Sequence, residues 1–215
     1  MERTASVTSR VTRTFRQIIA CIGLVATAMV AQLQPAQAWQ FFPIRAPKVP
    51  ANLQVPEGNI AFLVGHATGT QDYICLPTST GFAWTFFGPQ ATLLNDDTRQ
   101  IITHFLSPNP FENGTPRATW QHSRDTSVVW AKMTAASSDP AFVASGAIPW
   151  FLLQVVGAQP GPTDGHTLTP TTYIQRVHTF GGVAPATGCA QAADVGGKAL
   201  VPYMADYFFY QASRF

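Results

Sequence analysis

From Asn59 onward, the chain is a succession of short apolar or alternating segments, separated by glycine, proline, asparagine and aspartate at hairpin spacing. This pattern predicts about eleven short strands and leaves few segments long enough to form a helix. The predicted strands are residues 59–64, 71–76, 82–87, 92–94, 100–106, 118–122, 127–133, 150–156, 171–180, 199–203 and 206–211. We therefore expect a single all-β domain over residues 57–215, an antiparallel sandwich or barrel with long loops and little helix.

Three proline-rich segments interrupt or precede these strands. Residues 39–56 are predicted to be an extended lead-in, because proline fixes φ and has no N–H to donate to a sheet. Ser107–Pro116 and Gly157–Pro170 are predicted to be long loops. Loops of this length are uncommon in a compact domain unless they have a function or are disordered.

Residues 1–38 have the organisation of a secretory signal peptide. An arginine-rich segment precedes the apolar segment Ile18–Ala31, and Ala36-Gln37-Ala38 provides a cleavage site of small residues. The apolar segment has about 14 residues, fewer than the roughly 20 that span a bilayer. We expect cleavage after Ala38 and a secreted or periplasmic protein that begins at Trp39, without stable membrane insertion.

The composition argues against several classes of function. The chain is 46% hydrophobic and only 11% charged, and without the leader its basic and acidic residues nearly balance. A chain of this kind lacks the basic surface that nucleic-acid binding requires. The sequence contains none of the glycine-rich nucleotide-binding motifs, the zinc-protease motif or the nucleophile elbow. We expect no nucleic-acid partner, no cofactor and no metal, whereas the oligomeric state stays open.

The cysteines predict a disulfide. Cys21 lies in the leader, so the exported chain has two cysteines, Cys75 and Cys189. An even number of cysteines in an exported protein favours a disulfide, and two cysteines allow only one pairing. The loop that this bond closes is long, so its contribution to stability is up to ~5 kcal/mol in the chain-entropy model.

The predicted strand at 171–180 contains the residues with the clearest chemical potential. Its alternation places Arg176 and His178 on one face, between two large apolar side chains. If that face is the interior, Arg176 requires a partner, and Asp206 in the last predicted strand is the natural candidate. Breaking such a buried pair with Arg176→Ala would cost about 3–5 kcal/mol.

Histidines and tyrosines supply the remaining candidate site residues. Acid–base catalysis would use His104 or His178 together with Asp206, while Arg176 holds an anionic substrate. The same histidines could instead be structural, bonded to the backbone or to neighbouring side chains. A ligand pocket lined by aromatic and polar groups is a further possibility. Its candidate ligand-binding residues are His66, Gln71, Tyr73, Arg176 and Tyr207.

A series of motifs also follows one order along the chain. The motifs are V-P-A-N-L-Q-V-P-E-G at 49–58, H-A-T-G-T-Q-D-Y-I-C at 66–75, A-I-P-W-F-L-L at 147–153, Y-I-Q-R-V-H-T-F-G-G at 173–182 and P-Y-M-A-D-Y-F-F-Y at 202–210. In this order they resemble an exported family known as domain of unknown function 3455. The resemblance implies export and brings no established activity. The chain departs from the family pattern by an insertion between His104 and Trp120, within residues 107–116.

These observations favour an exported β-domain that binds a small molecule or a cell-envelope component without turning it over. Two alternatives stay open, a cofactor-free hydrolase or isomerase using His/Asp chemistry and a structural or cell-surface interaction protein. A deep apolar pocket would favour binding, and convergence of His, Arg and Asp on one cavity would favour catalysis. A solid core with a flat surface would favour the structural role.

Overall fold

The computed structural model describes residues 44–213, so the signal peptide predicted at 1–38 lies outside the described residues. Eight antiparallel strands form a closed barrel in which each strand pairs with its neighbours along the chain and the first pairs with the last. The strands are β1 Asn59–Thr78, β2 Gly81–Leu94, β3 Gln100–Asn109, β4 Thr115–His122, β5 Val128–Ser137, β6 Trp150–Gln159, β7 Thr171–Gly181 and β8 Lys198–Ala212. Within the described residues, helix is limited to the 3-10 turns Ala51–Leu53, Pro110–Glu112 and Ala192–Asp194. The predicted all-β fold is confirmed, and it is a barrel.

Long strands replace several pairs of predicted short ones. The predicted strands 59–64 and 71–76 both belong to β1, and β2 and β8 likewise each contain two predicted strands. The glycines of β1 resemble turn residues in the sequence, but Gly69 permits close approach to β2 instead. A Cβ at Gly69 would lie 2.0 Å from the carbonyl oxygen of Gln90. The prediction of eleven strands was therefore wrong, because glycine inside a strand can mark close packing as well as a turn.

The predicted loop Ser107–Pro116 is mostly a hairpin. β3 continues to Asn109 and β4 begins at Thr115, with Pro108 opposite Pro116 in the ladder. The side chain of Asn109 accepts a hydrogen bond of 3.0 Å from the backbone N–H of Phe111 at the turn. The loop prediction was wrong here, because proline is compatible with strand positions that donate no ladder hydrogen bond.

The second predicted loop, Gly157–Pro170, has a structural role. Its first three residues extend β6, and the remainder places Leu168 in the barrel core with no exposed surface. The backbone N–H of Leu168 donates to Ser127 Oγ at 3.0 Å, and that of Thr167 donates to Asp125 Oδ2 at 2.8 Å. This loop closes one end of the barrel, where β6 ends and β7 begins.

Hydrophobic side chains pack on both faces of the barrel wall. The half of the interior next to Leu168 is filled by large side chains that include Ile102 and Phe209, both fully buried. On the outer face, Leu53 of the lead-in packs with Trp150 and Phe208. Residues 44–56 thus cover an apolar part of the outer wall. The unfilled part of the interior lies at the opposite end of the barrel from Leu168.

The predicted disulfide is confirmed. Cys75 of β1 is bonded to Cys189 in the loop that precedes β8, with 5.5 Å between their Cα atoms. Because such bonds persist in oxidising compartments, the disulfide indicates an extracytoplasmic location. No helix within residues 44–213 has the length and apolar character needed to cross a membrane.

Candidate functional site

The half of the barrel opposite Leu168 contains a cavity of about 450 Å³. β2 and β3 pair only over 91–94 and 100–104, and beyond these residues the two strands separate. Phe86 and Leu106 line the cavity from the separated parts of these strands, and both are partly exposed. The cavity therefore has an apolar mouth toward this end of the barrel.

Most of the predicted ligand-binding residues lie together on this cavity. Gln71, Tyr73, Arg176 and Tyr207 line it, as does the candidate catalytic residue His104. His66, which was grouped with them in the sequence, does not line the cavity, and its ring lies on the outer face instead. The barrel wall thus separates His66 from the other four predicted ligand-binding residues.

Arg176 is buried in the cavity wall without a carboxylate partner among the described residues. Its Nη2 donates to the carbonyl oxygen of Pro149 at 2.8 Å, and its guanidinium lies 3.8 Å from the ring centre of Phe151. The expected Arg176–Asp206 pair is wrong, because Asp206 lies between the inward-facing Ala205 and Tyr207 and therefore points outward. The loss of 3–5 kcal/mol expected for Arg176→Ala does not apply, since the substitution leaves no buried carboxylate unpaired.

Three residues of the cavity carry buried N–H groups that find no hydrogen-bond partner within residues 44–213. The groups are Gln71 Nε2, Trp120 Nε1 and Arg176 Nε. Indole and guanidinium nitrogens can only donate, and leaving a buried donor unpaired costs about 1–3 kcal/mol. The cavity therefore combines an apolar wall with several unpaired donors.

His104 is a neutral side chain in this site. Its ring stacks on Trp120 with 4.2 Å between ring centres, and its Nδ1 donates to the carbonyl oxygen of Thr119 at 2.8 Å. Burial lowers the pKa of His104 to about 3, and the nearby charge of Arg176 acts in the same direction. At neutral pH its single proton is therefore on Nδ1, and Nε2 is an acceptor.

The tyrosines of the cavity are neutral hydrogen-bonding groups. Burial raises the pKa of Tyr207, and its hydroxyl lies 3.3 Å from that of Tyr203. Burial also raises the pKa of Tyr73, whose hydroxyl donates to the carbonyl oxygen of Gly182 at 2.7 Å. Among the cavity residues His104, Tyr73, Tyr207 and Arg176, only Arg176 therefore carries a charge at neutral pH.

His178 and Asp206 belong to a separate cluster on the outer face. Asp206 Oδ2 lies 2.8 Å from His178 Nδ1, and Asp206 Oδ1 lies 2.7 Å from His66 Nδ1. His66 Nε2 in turn lies 2.9 Å from Asp96 Oδ1. One carboxylate therefore joins histidines from β1 and β7, and both histidine side chains are about half exposed.

A β-bulge explains why Arg176 and His178 do not share a face. The pairing of β7 with β8 is irregular between Val177 and Phe180, and His178 has a φ of 49°. A φ in this left-handed region is uncommon for residues other than glycine. The predicted alternation was wrong beyond Val177, so the structure places His104 and Arg176 inside the barrel and His178 and Asp206 outside.

The contact between His66 and Asp206 should make the stability of the fold depend on pH. The hydrogen bond with Asp206 is the largest influence on His66, and it raises the pKa of His66 above its ordinary value of 6.5. Because the pKa of His66 is raised in the folded state, the contribution of His66 to the stability of the fold is complete below pH 6.5. This contribution is lost as the pH rises through the folded-state pKa of His66. We expect the His66 titration midpoint, measured by NMR, to fall toward 6.5 in Asp206→Asn.

The control for this experiment is Asp96→Asn, which removes the weaker of the two carboxylate contacts of His66. It should lower the midpoint less than Asp206→Asn does. An unchanged midpoint in Asp206→Asn would show that the contact between Asp206 and His66 does not determine the pKa of His66.

Other features of the cavity were not anticipated from the sequence. Trp120 was placed in a strand but not assigned to a site, although alternation puts it on the same face as Ala118, which also lines the cavity. Phe151 and Pro149 belong to the motif A-I-P-W-F-L-L, and nothing in that motif indicates their contact with Arg176. Within residues 44–213, no three or more His, Cys, Asp or Glu side chains are arranged to hold a metal ion.

Comparisons with known proteins identify a family. No curated protein matches the chain, and no solved structure matches it. A family model described as "Protein of unknown function (DUF3455)" matches residues 56–211, which is more than half of the chain and includes all the cavity residues named here. The resemblance seen in the sequence motifs is confirmed, and the chain belongs to the DUF3455 family of proteins of unknown function.

Proposed function

We propose that this protein is a secreted or periplasmic binding protein that holds one small, largely apolar molecule in the barrel cavity without changing it chemically. The observation that carries the proposal is the open cavity of about 450 Å³ in a barrel whose other half is densely packed. Ligand pockets in proteins commonly have volumes of about 300–1,000 Å³. Eight-stranded barrels either fill their interior with side chains or hold one small ligand.

The separation of the acid–base candidates supports binding over catalysis. His104 and Arg176 line the cavity, whereas His178 and Asp206 lie together on the outer face. No aspartate or glutamate among the described residues lines the cavity. A neutral His104 without a carboxylate partner is poorly suited to move a proton at neutral pH.

A neutral fluorescent probe tests the proposal. N-phenyl-1-naphthylamine should bind the folded exported protein saturably, with one site per chain and increased fluorescence. Ala131 lines the cavity and is buried, so Ala131→Leu should reduce the available volume. We expect this substitution to weaken probe binding by about tenfold or more.

The matched control is Ala83→Leu, the same substitution at an exposed position that does not line the cavity. It should leave the affinity for the probe unchanged. Ala118→Leu provides a second cavity variant if Ala131→Leu does not fold. Absence of saturable binding, or equal binding by the cavity variants and Ala83→Leu, would overturn the proposal.

A further inference from the structure

We propose that the ligand is a monocarboxylate, whose carboxylate is received by Arg176, Gln71 and Trp120 inside the barrel while its apolar part extends to the mouth. This inference rests on the proposed binding function and specifies the chemical class of the ligand. Three features of the one cavity support it: the unpaired N–H donors, the positive charge of Arg176 and the apolar mouth.

The unpaired groups of the cavity are of one chemical kind. Gln71 Nε2, Trp120 Nε1 and Arg176 Nε are all N–H donors, and each belongs to a side chain that is more than nine-tenths buried. A ligand that satisfies more than one of them must present several acceptor lone pairs. A carboxylate accepts through two oxygens and about four lone-pair directions, more than an alcohol or a ketone offers.

The charge of the cavity selects an anion over a neutral acceptor. The guanidinium of Arg176 is always protonated, and no carboxylate of residues 44–213 pairs with it. Arg117, which also lines the cavity, already donates to both oxygens of Glu112 at 2.8 Å. Lys132 also lines the cavity, but it is exposed, so water and salt screen its charge. Because His104 is neutral, the buried polar part of the cavity presents one positive charge, that of Arg176, which matches a ligand with one negative charge.

The mouth of the cavity fits an apolar remainder of the same ligand. Phe86, Leu106 and Met133 line the cavity and are 49%, 41% and 54% exposed. These side chains would lose exposed apolar surface against a hydrocarbon or aromatic group that reaches the mouth. The distribution of charge inside and apolar surface outside gives the ligand an orientation, with the carboxylate entering first.

Two probes that differ only in the acidic group test this inference. The probes are 2-naphthoate and 2-naphthalenemethanol, each measured by displacement of N-phenyl-1-naphthylamine from the exported protein. We expect 2-naphthoate to bind at least about tenfold more tightly than the alcohol, because hydrogen bonds from a charged donor to a carboxylate are the stronger ones. Equal displacement by the two probes would overturn the carboxylate assignment and leave the binding function intact, whereas no binding of any probe would overturn both.

Substitutions locate the preference within the cavity. Arg176→Met should remove most of the preference for 2-naphthoate over the alcohol, and Trp120→Phe and Gln71→Leu should each reduce it. The matched control is Arg99→Met, because Arg99 is an exposed cation in the turn between β2 and β3 and does not line the cavity. It should preserve the preference.

If Arg99→Met and Arg176→Met lose the preference for 2-naphthoate equally, the preference reflects the net charge of the protein. That result would overturn the assignment of the carboxylate to Arg176. If Arg176→Met does not fold, Trp120→Phe and Gln71→Leu decide the position. If both of these variants keep the full preference for 2-naphthoate over the alcohol, the proposal is contradicted.

Discussion

Replacement of both disulfide cysteines, Cys75→Ala together with Cys189→Ala, is expected to lower the free energy of unfolding by about 4–5 kcal/mol. The bond links residues 114 positions apart, so its loss releases a long closed loop in the unfolded chain. Typical domains have a total stability of about 5–15 kcal/mol, so the double variant should be marginally folded. Urea unfolding with linear extrapolation measures the difference.

The wild-type protein under reducing conditions is the matched control for this variant. Its unfolding midpoint should fall to nearly that of the double variant once both thiols are shown to be free. Cys75 is fully buried beside Gly197, whose carbonyl oxygen accepts from its N–H at 2.9 Å. An unchanged midpoint in the fully reduced protein would mean that packing around Cys75, and not the covalent bond, holds β1 to the loop before β8.

The substitution Phe209→Ala is expected to cost about 3–5 kcal/mol of stability. Phe209 has no exposed surface, and its ring packs edge-to-face against Trp120 with 6.3 Å between ring centres. It lies in the filled half of the barrel and does not line the cavity, so its removal leaves a new void among side chains that cannot all move inward. Thermal or urea unfolding of the variant checks this expectation.

Phe180→Ala provides the comparison for Phe209→Ala. The residue type and the substitution are the same, but Phe180 is 64% exposed near the end of β7. Its removal should change the free energy of unfolding by no more than about 0.5 kcal/mol. Similar losses in the free energy of unfolding at the two positions would show that the buried Phe209 contributes no more to stability than the exposed Phe180.

Several properties of the site could be inferred from residue types alone. Gln71, Tyr73, Arg176 and Tyr207 were grouped as ligand-binding candidates because ligand pockets are lined by aromatic groups with a few polar ones, and these four residues do line one cavity. The family resemblance along the motifs likewise needed only the sequence, and it covers residues 56–211.

Alternation could not locate the bulge in β7, and it could not tell which face of β8 lines the interior. The bulge between Val177 and Phe180 turns His178 outward, and the regular alternation of β8 puts Asp206 on the outer face because Ala205 and Tyr207 face inward. A bulge adds one unpaired residue, and no residue type marks that position uniquely. The proposed acid–base group of His104, His178, Asp206 and Arg176 was therefore divided between the two faces of the barrel wall.

The sequence by itself determined the all-β class, the single possible disulfide and the family, because periodicity, cysteine number and motif order are properties of the chain. Tertiary structure decided that the sheet closes into a barrel with one filled half and one open half. Closure depends on how β1 pairs with β8 and where β2 and β3 separate, which are contacts between residues distant in sequence. Among the described residues Arg176 has no carboxylate partner, and this follows from the same long-range arrangement, since it depends on which residues surround Arg176 after the barrel has closed.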